Sequence, residues 1–190
     1  EVVTSMDEEN DHSLSSRILP LIDRLFHQAN WNVDDIKRIY VVIGPGSFTG
    51  IRIGVTIAKT YAWAKKLEIV PISELELLAS TSYTTDYIIP YIDARREAVY
   101  AGIYNHEGVV VNDAYMPIKS LKERYPSGSM VAVSYDTCDL EIPQIKPEVN
   151  LSKVVENHEH DLTKNPHEVN PIYLKLTEAE ENIKHDSKNK

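Results

Sequence analysis

The chain has a single cysteine, Cys138, in 190 residues, which excludes an internal disulfide framework and points to a reducing compartment. Long hydrophobic runs are missing as well. Nothing approaches the ~20 apolar residues of a transmembrane helix, and the start carries no signal-peptide pattern, so the expected location is cytoplasmic with no membrane partner. Positive charge is short too: 20 Lys and Arg face 29 Asp and Glu, giving a formal net charge of −9 and a pI near 5.2. Affinity for a nucleic-acid backbone comes from clustered cations, so any such contact is expected to be minor or made through another protein. At this length the chain can bury a core of ordinary size, as one domain or two small lobes.

Catalytic and cofactor motifs are equally sparse. The seven histidines (His12, His27, His106, His158, His160, His167, His185) form neither HxxxH nor HExxH, so no helical metal pair is on offer. His158, His160 and His167 read more simply as scattered polar residues than as ligands. Cys138 lacks the surroundings that mark a nucleophile. Gly44, Gly46 and Gly50 do not fit GxGxxG, no acidic residue about 20 positions on completes a dinucleotide fingerprint, and no Gly-Lys-Ser/Thr makes a Walker loop. Ser47 fails the GxSxG elbow because Phe48 and Thr49 separate it from Gly50. No catalytic residue, metal or cofactor is therefore expected of this chain alone.

What the sequence does have is concentrated in residues 39–66. Ile39, Val41, Val42 and Ile43 form a β-branched run bounded by Gly44-Pro45-Gly46, the pattern of a strand buried on both faces and followed by a tight turn. Ser47 or Thr49 caps the helix that follows. The turn reads as a close-packing device rather than an anion site. Arg52 opposes the helix dipole, so a carboxylate partner is expected for it, in this chain or another. Ile51, Ile53, Gly54, Val55, Ile57, Ala58, Tyr61, Ala62 and Ala64 then sweep more than half the helix circumference, leaving a polar strip of Arg52, Thr56, Lys59 and Lys66 in which Trp63 also sits.

An earlier helix is expected over 13–29, with Leu14, Ile18, Leu21, Ile22, Leu25 and Ala29 in its stripe, Leu19 and Phe26 widening one edge, and Pro20 bending it. Two helices this apolar are covered either by each other and their own sheet, or partly by another protein chain that Gly54, Ala58 and Ala62 let approach. Periodicity leaves both open. Further on, 69–72 reads as a strand, and Ser73 caps a helix over 74–80 with Glu76 closing a capping box. Residues 81–86 form a polar link. Strands are expected at 87–92, 98–104, 109–115 and 130–135, with a short helix over 119–125. From Glu141 onward proline, charge and polar residues dominate. This divides the chain into 1–85, a second smaller lobe at 86–176, and a polar tail at 177–190. Asp93, Arg95 and Arg96, at a strand end, read as an ion pair at the lobe junction ahead of any catalytic use, with Arg52 a candidate partner for Asp93.

The motif loop Gly44, Pro45, Gly46, Ser47, Phe48, Thr49, Gly50 and Arg52, in GPGSFTGIRIG, occurs with HSLSSRILPLI at 12–22, ISELELLA at 72–79, YIDARREAVYAGIY at 91–104 and PIYLK at 171–175. In this order the segments resemble the bacterial TsaB family, also called YeaZ, over most of the chain up to Tyr104. The resemblance implies an α/β, two-lobed actin-like ATPase (ASKHA, ribonuclease-H-like) fold. In that family an aspartate-bearing strand and a return strand come first, and EVVTSMDE looks like the strand after them, so the first lobe is expected to lack one or two strands.

The resemblance also implies a function. The family supplies a noncatalytic subunit for threonylcarbamoyl transfer to the adenosine beside the anticodon of tRNAs reading codons that begin with A. TsaD performs the transfer, the ATPase TsaE joins the complex, and tRNA is contacted only indirectly. Two helices build a bundle with TsaD, or with a second copy when TsaD is absent. The residues this places at the partner contact are Ile18, Ile22, Leu25, Ala58, Tyr61 and Ala62. Two rival functions are a glycoprotease-like endopeptidase acting on its partner and an ASKHA-type small-molecule kinase.

Overall fold

A β-branched run followed by a glycine turn and a helix is the start of a parallel crossover, and the computed structural model of this protein closes it. It describes residues 2–7, 14–161 and 164–175. The expected first helical residue Ser13, His12, His185 and the tail at 177–190 lie outside the described residues. β1 (Arg38–Val42) pairs in parallel with β2 (Glu68–Ile72), from Arg38 opposite Glu68 to Val42 opposite Ile72. Parallel strands cannot be joined by a hairpin, and α2 (Phe48–Lys65) makes the crossover. It ends at Lys66, whose left-handed backbone lets the Leu67 N–H reach back to the Ala62 carbonyl.

Successive strand residues point to opposite faces, which is why the runs are continuously apolar. On one face Val41 and Ile69 pack with Val55, Ala58 and Ala62 of α2 and with Val169. On the other, Val70 and Ile72 pack with Val154 of α5 (Leu151–Asn157). Before the strands, α1 (Leu14–Ala29) continues through Pro20 and ends at Asn30, which is left-handed, with the Trp31 N–H returning to the Phe26 carbonyl. After β2, α3 (Glu74–Ala79) starts on Ser73, whose hydroxyl accepts the Leu75 N–H at 3.1 Å. The Glu76 carboxylate, expected to close a box on Ser73, lies 2.8 Å from His158.

These elements form one unit, Glu1–Ser82 together with Glu148–Pro171. The returning segment is tied in by backbone groups: the Asn150 and Glu148 N–H groups donate to Ser80 Oγ and Thr81 Oγ1, and the Lys164 N–H to the Ile69 carbonyl. Buried Ser80 and Thr81 thereby have partners.

The second unit comprises Tyr83–Pro147 and Ile172–Lys190. Its sheet has the order β5-β4-β3-β6-β7. β3 (Tyr87–Asp93), β4 (Ala98–Asn105) and β5 (Gly108–Pro117) are an antiparallel meander, and β6 (Met130–Val133) and β7 (Gln144–Ile145) run parallel to β3. α4 (Ile118–Lys122) crosses from β5 towards β6 and seats Leu121 in a core with Ile89, Tyr91, Val99, Ile103 and Leu140. α4 is shorter than the sequence pattern suggested. Tyr125, beyond its end, donates its hydroxyl to the Leu140 carbonyl, and burial pushes that phenol up to about 12. Lys175 places its ammonium 5.1 Å over the Tyr115 ring, so the Ile-Tyr-Leu-Lys part of PIYLK belongs to this unit.

Candidate functional site

The glycine motif lies at the carboxyl end of β1. Gly44 and Gly46 have φ of 117° and 154°, values an L side chain rarely tolerates, and a Cβ at Gly46 would meet only Ile51 Cδ1 at 3.6 Å. Gly46 is therefore required by its backbone and not by crowding. The Gly44 carbonyl accepts the Glu74 N–H at 3.0 Å, which fastens the turn to the start of α3. Of the two candidate caps, Ser47 is the one used: its Oγ accepts the Gly50 N–H at 3.2 Å. Phe48 is 55% exposed, and the Arg52 guanidinium lies 3.9 Å from its ring centroid. That cation–π contact gives the first-turn cation a partner.

The Asp93 cluster closes locally within the second unit. Asp93 accepts the Arg95 N–H at 2.8 Å and meets Arg95 Nη1 at 3.2 Å. Its own N–H donates to Asp136 Oδ2 at 2.9 Å. Arg95, Arg96 and Glu97 follow with left-handed φ of 64°, 56° and 57°, a run that turns β3 into β4 and leaves both arginines exposed. Beneath them Tyr91 donates its hydroxyl to the Asp136 carbonyl at 2.8 Å and accepts the Cys138 N–H at 3.1 Å. Burial pushes the Cys138 thiol up, and the Asp93 and Asp136 carboxylates add to the shift. Such a thiol is held in its unreactive form. Among the described residues no group of three or more His, Cys, Asp and Glu is placed to hold a metal ion.

α1 and α2 carry part of the first unit's exposed apolar surface, with Val2, Val3 and Trp31 outside the helices and Leu151 and Val155 on α5. Ile18, Ile22, Leu25 and Tyr61 are half-buried. Ala58 and Ala62, placed by the resemblance at a partner contact, are 6% and 1% exposed inside the unit's own core. Their small size brings α2 onto β1 and β2, so they leave no surface for another chain. Exposed large apolar side chains on these two helices are Leu19 (51%) on α1 and Phe48 and Trp63 (66%) on α2, with Trp63 in the polar strip beside Arg52, Thr56 and Lys59. Between the helices a cavity of about 260 Å³ is lined by Ile22, Phe26, Trp31 and Tyr61 with Asp23 and His27. Among the described residues no helix is long and apolar enough to cross a membrane.

Comparison with known proteins places this geometry. Residues 5–158 match the model of the family described as TsaD: tRNA N6-adenosine threonylcarbamoyltransferase. The chain is 41% identical over 100 residues to the tRNA threonylcarbamoyladenosine biosynthesis protein TsaB of Bacillus subtilis, covering 52% of this chain and 43% of that one. It is 32% identical over 79 residues to the tRNA N6-adenosine threonylcarbamoyltransferase of Persephonella marina, covering 41% and 23%. The chain thus spans about half or less of the length of the curated relatives it matches. Its fold is similar to that of YeaZ from Pseudomonas aeruginosa, with a TM-score of 0.68 at 19% identity over 85% of each chain. The matched segment takes in the glycine motif, both long helices and the Asp93 hairpin, so the chain belongs to the family described as TsaD: tRNA N6-adenosine threonylcarbamoyltransferase.

Proposed function

We propose that this chain is a noncatalytic, cytoplasmic subunit that binds TsaD and supports transfer of threonylcarbamoyl to the adenosine beside the anticodon of tRNAs reading codons that begin with A. The observation that carries the reading is the apolar stripe of α1, where Ile18, Ile22 and Leu25 are only half-buried and Leu19 is exposed, beside half-buried Tyr61 of α2, which lines the same cavity as Ile22 and Phe26. Isolated exposed apolar residues such as Phe48 and Trp63 are ordinary, but an apolar helical stripe left half-buried over two turns suits a protein partner. The Bacillus subtilis relative, by name a tRNA threonylcarbamoyladenosine biosynthesis protein, supports the choice of pathway.

On this reading the exposed helical surface seats TsaD, a second copy occupies it when TsaD is absent, TsaE joins through the complex, and tRNA is touched only indirectly. The motif loop shapes the start of α2, and Asp93, Arg95 and Arg96 hold the β3–β4 hairpin. The two units are taken as the lobes of an actin-like ATPase frame, the first with a two-stranded sheet among the described residues where the resemblance implies further strands. The endopeptidase alternative is disfavoured because Ser47 Oγ is engaged as a helix cap and the Cys138 thiol is pushed up by burial.

The test is transfer of radiolabelled threonylcarbamoyl from its adenylate to tRNA, with AMP as the leaving group, using the chain alone, TsaD alone, and both together with TsaE. Incorporation is expected only when TsaD is present, and more of it when the chain is added. Incorporation by the chain alone, or no gain on adding it to TsaD, contradicts the proposal.

A further inference from the structure

His158 terminates α5, and both of its ring nitrogens face carboxylates. Nε2 lies 2.8 Å from Glu76 Oε1 on α3, and Nδ1 lies 2.7 Å from Asp161 Oδ2 in the turn after α5. An ionised carboxylate only accepts hydrogen bonds, and a neutral imidazole has one donor and one lone pair. Only the imidazolium can donate to both partners at once. With a side chain just 15% exposed, the ring cannot exchange either bond readily for water.

From this geometry we infer that His158 is a proton-dependent clasp: as the imidazolium it locks the returning segment to α3, and loss of the proton loosens α5 from the first unit. What the clasp holds is structural. α5 presents Val154 to Val70 and Ile72, so loosening it uncovers one face of the β1–β2 sheet. α3, at the other end of the clasp, begins on the Glu74 N–H that fastens the glycine motif.

The charged groups on the surrounding elements leave the assignment intact. α5 carries Lys153 and Glu156, and the turn after it Glu159, His160 and Asp161. α3 contributes Glu74 and Glu76. The strand pair contributes Tyr40, Glu68 and Arg38; Arg38 is engaged with Glu68 and donates from Nη1 to the Glu159 carbonyl at 2.8 Å. The carboxylates hydrogen-bonded to the ring are those of Glu76 and Asp161. Burial alone lowers the imidazolium's pKa, but the hydrogen bonds and charges of Asp161 and Glu76 outweigh it, and the net direction is upward. A raised folded-state pKa stabilises the fold fully below the unfolded value, about 6.5, and that contribution is lost as pH rises through the folded value.

Hydrogen exchange of the 151–157 amides in the full chain, corrected for intrinsic rates, tests this between pH 6 and pH 9. Protection should fall by about tenfold for each unit by which the folded pKa exceeds the unfolded one, while the amides of β3 and β4 hold theirs. Under His158→Gln the pH dependence should vanish, and under Asp161→Asn it should become shallower. The His158 ring resonance should titrate above about 6.5. Flat protection in the wild-type chain, an unchanged slope in His158→Gln, or a ring midpoint at or below the ordinary value overturns the clasp. If His158→Gln does not fold, an unchanged slope in Asp161→Asn does so in its place.

Discussion

The two units bury their apolar side chains in different ways. The second buries both faces of a five-stranded sheet: Ile89, Tyr91, Val99, Ile103 and Leu121 are fully buried in one cluster, and Ile88 and Val133 are fully buried outside it. The first divides a two-stranded sheet between two smaller clusters, one per face, and its long helices remain half-buried along α1 and exposed at Leu19, Phe48 and Trp63. A sheet flanked by its own chain can complete its core internally. A pair of strands covered by α2 on one face and by the short α5 on the other leaves the apolar stripe of α1 half-buried, which is the surface the proposed function assigns to a partner. The contrast separates residues that hold the fold from exposed ones even on a single helix: Ala62 is buried in the core and its neighbour Trp63 is 66% exposed.

The largest expected effect comes from confusing those roles. Ala62→Arg places an unpaired charge in the first unit's core and should cost several kcal/mol, unfolding that unit by circular dichroism. A folded Ala62→Arg chain that fails only to associate would reverse the assignment. Leu121→Ala tests the second unit and should lower stability by about 2–5 kcal/mol in urea unfolding, without touching partner binding. Tyr91→Phe removes the hydroxyl that joins Asp136 and Cys138, with an expected loss of about 1–3 kcal/mol. A loss near zero would mean that the network contributes nothing to the second core. Trp63→Ser, on the exposed surface, should change stability by no more than about 0.5 kcal/mol.

Local patterns carried much of this into the sequence. The glycine turn, the Ser47 cap, the apolar arcs of both helices and six of the seven strands among the described residues follow from short-range periodicity and turn chemistry, because those forces act within a few residues. The returning segment was not legible. α5 and β7 are short, lie in a polar, proline-bearing stretch, and are fixed by contacts from far along the chain, such as Glu148 to Thr81 and His158 to Glu76. No periodicity records a hydrogen bond across eighty residues. The helical surface was half legible. The arc was visible, but which of its residues face the unit's own strands depends on helix orientation, and so Ala58 and Ala62 were placed with the partner and Leu19 was not.

The central claim is that the exposed apolar surface of α1 and α2 receives TsaD, and one measurement reaches it directly. Leu19→Arg and Trp63→Arg, combined in the full chain, alter only exposed positions. Binding to TsaD of the same organism should be measured by sedimentation or surface plasmon resonance, with circular dichroism melts alongside. The account predicts an unchanged melt and an affinity reduced by about tenfold or more, the scale of loss when an aromatic anchor is replaced by charge. Unchanged affinity in a folded double variant would contradict it.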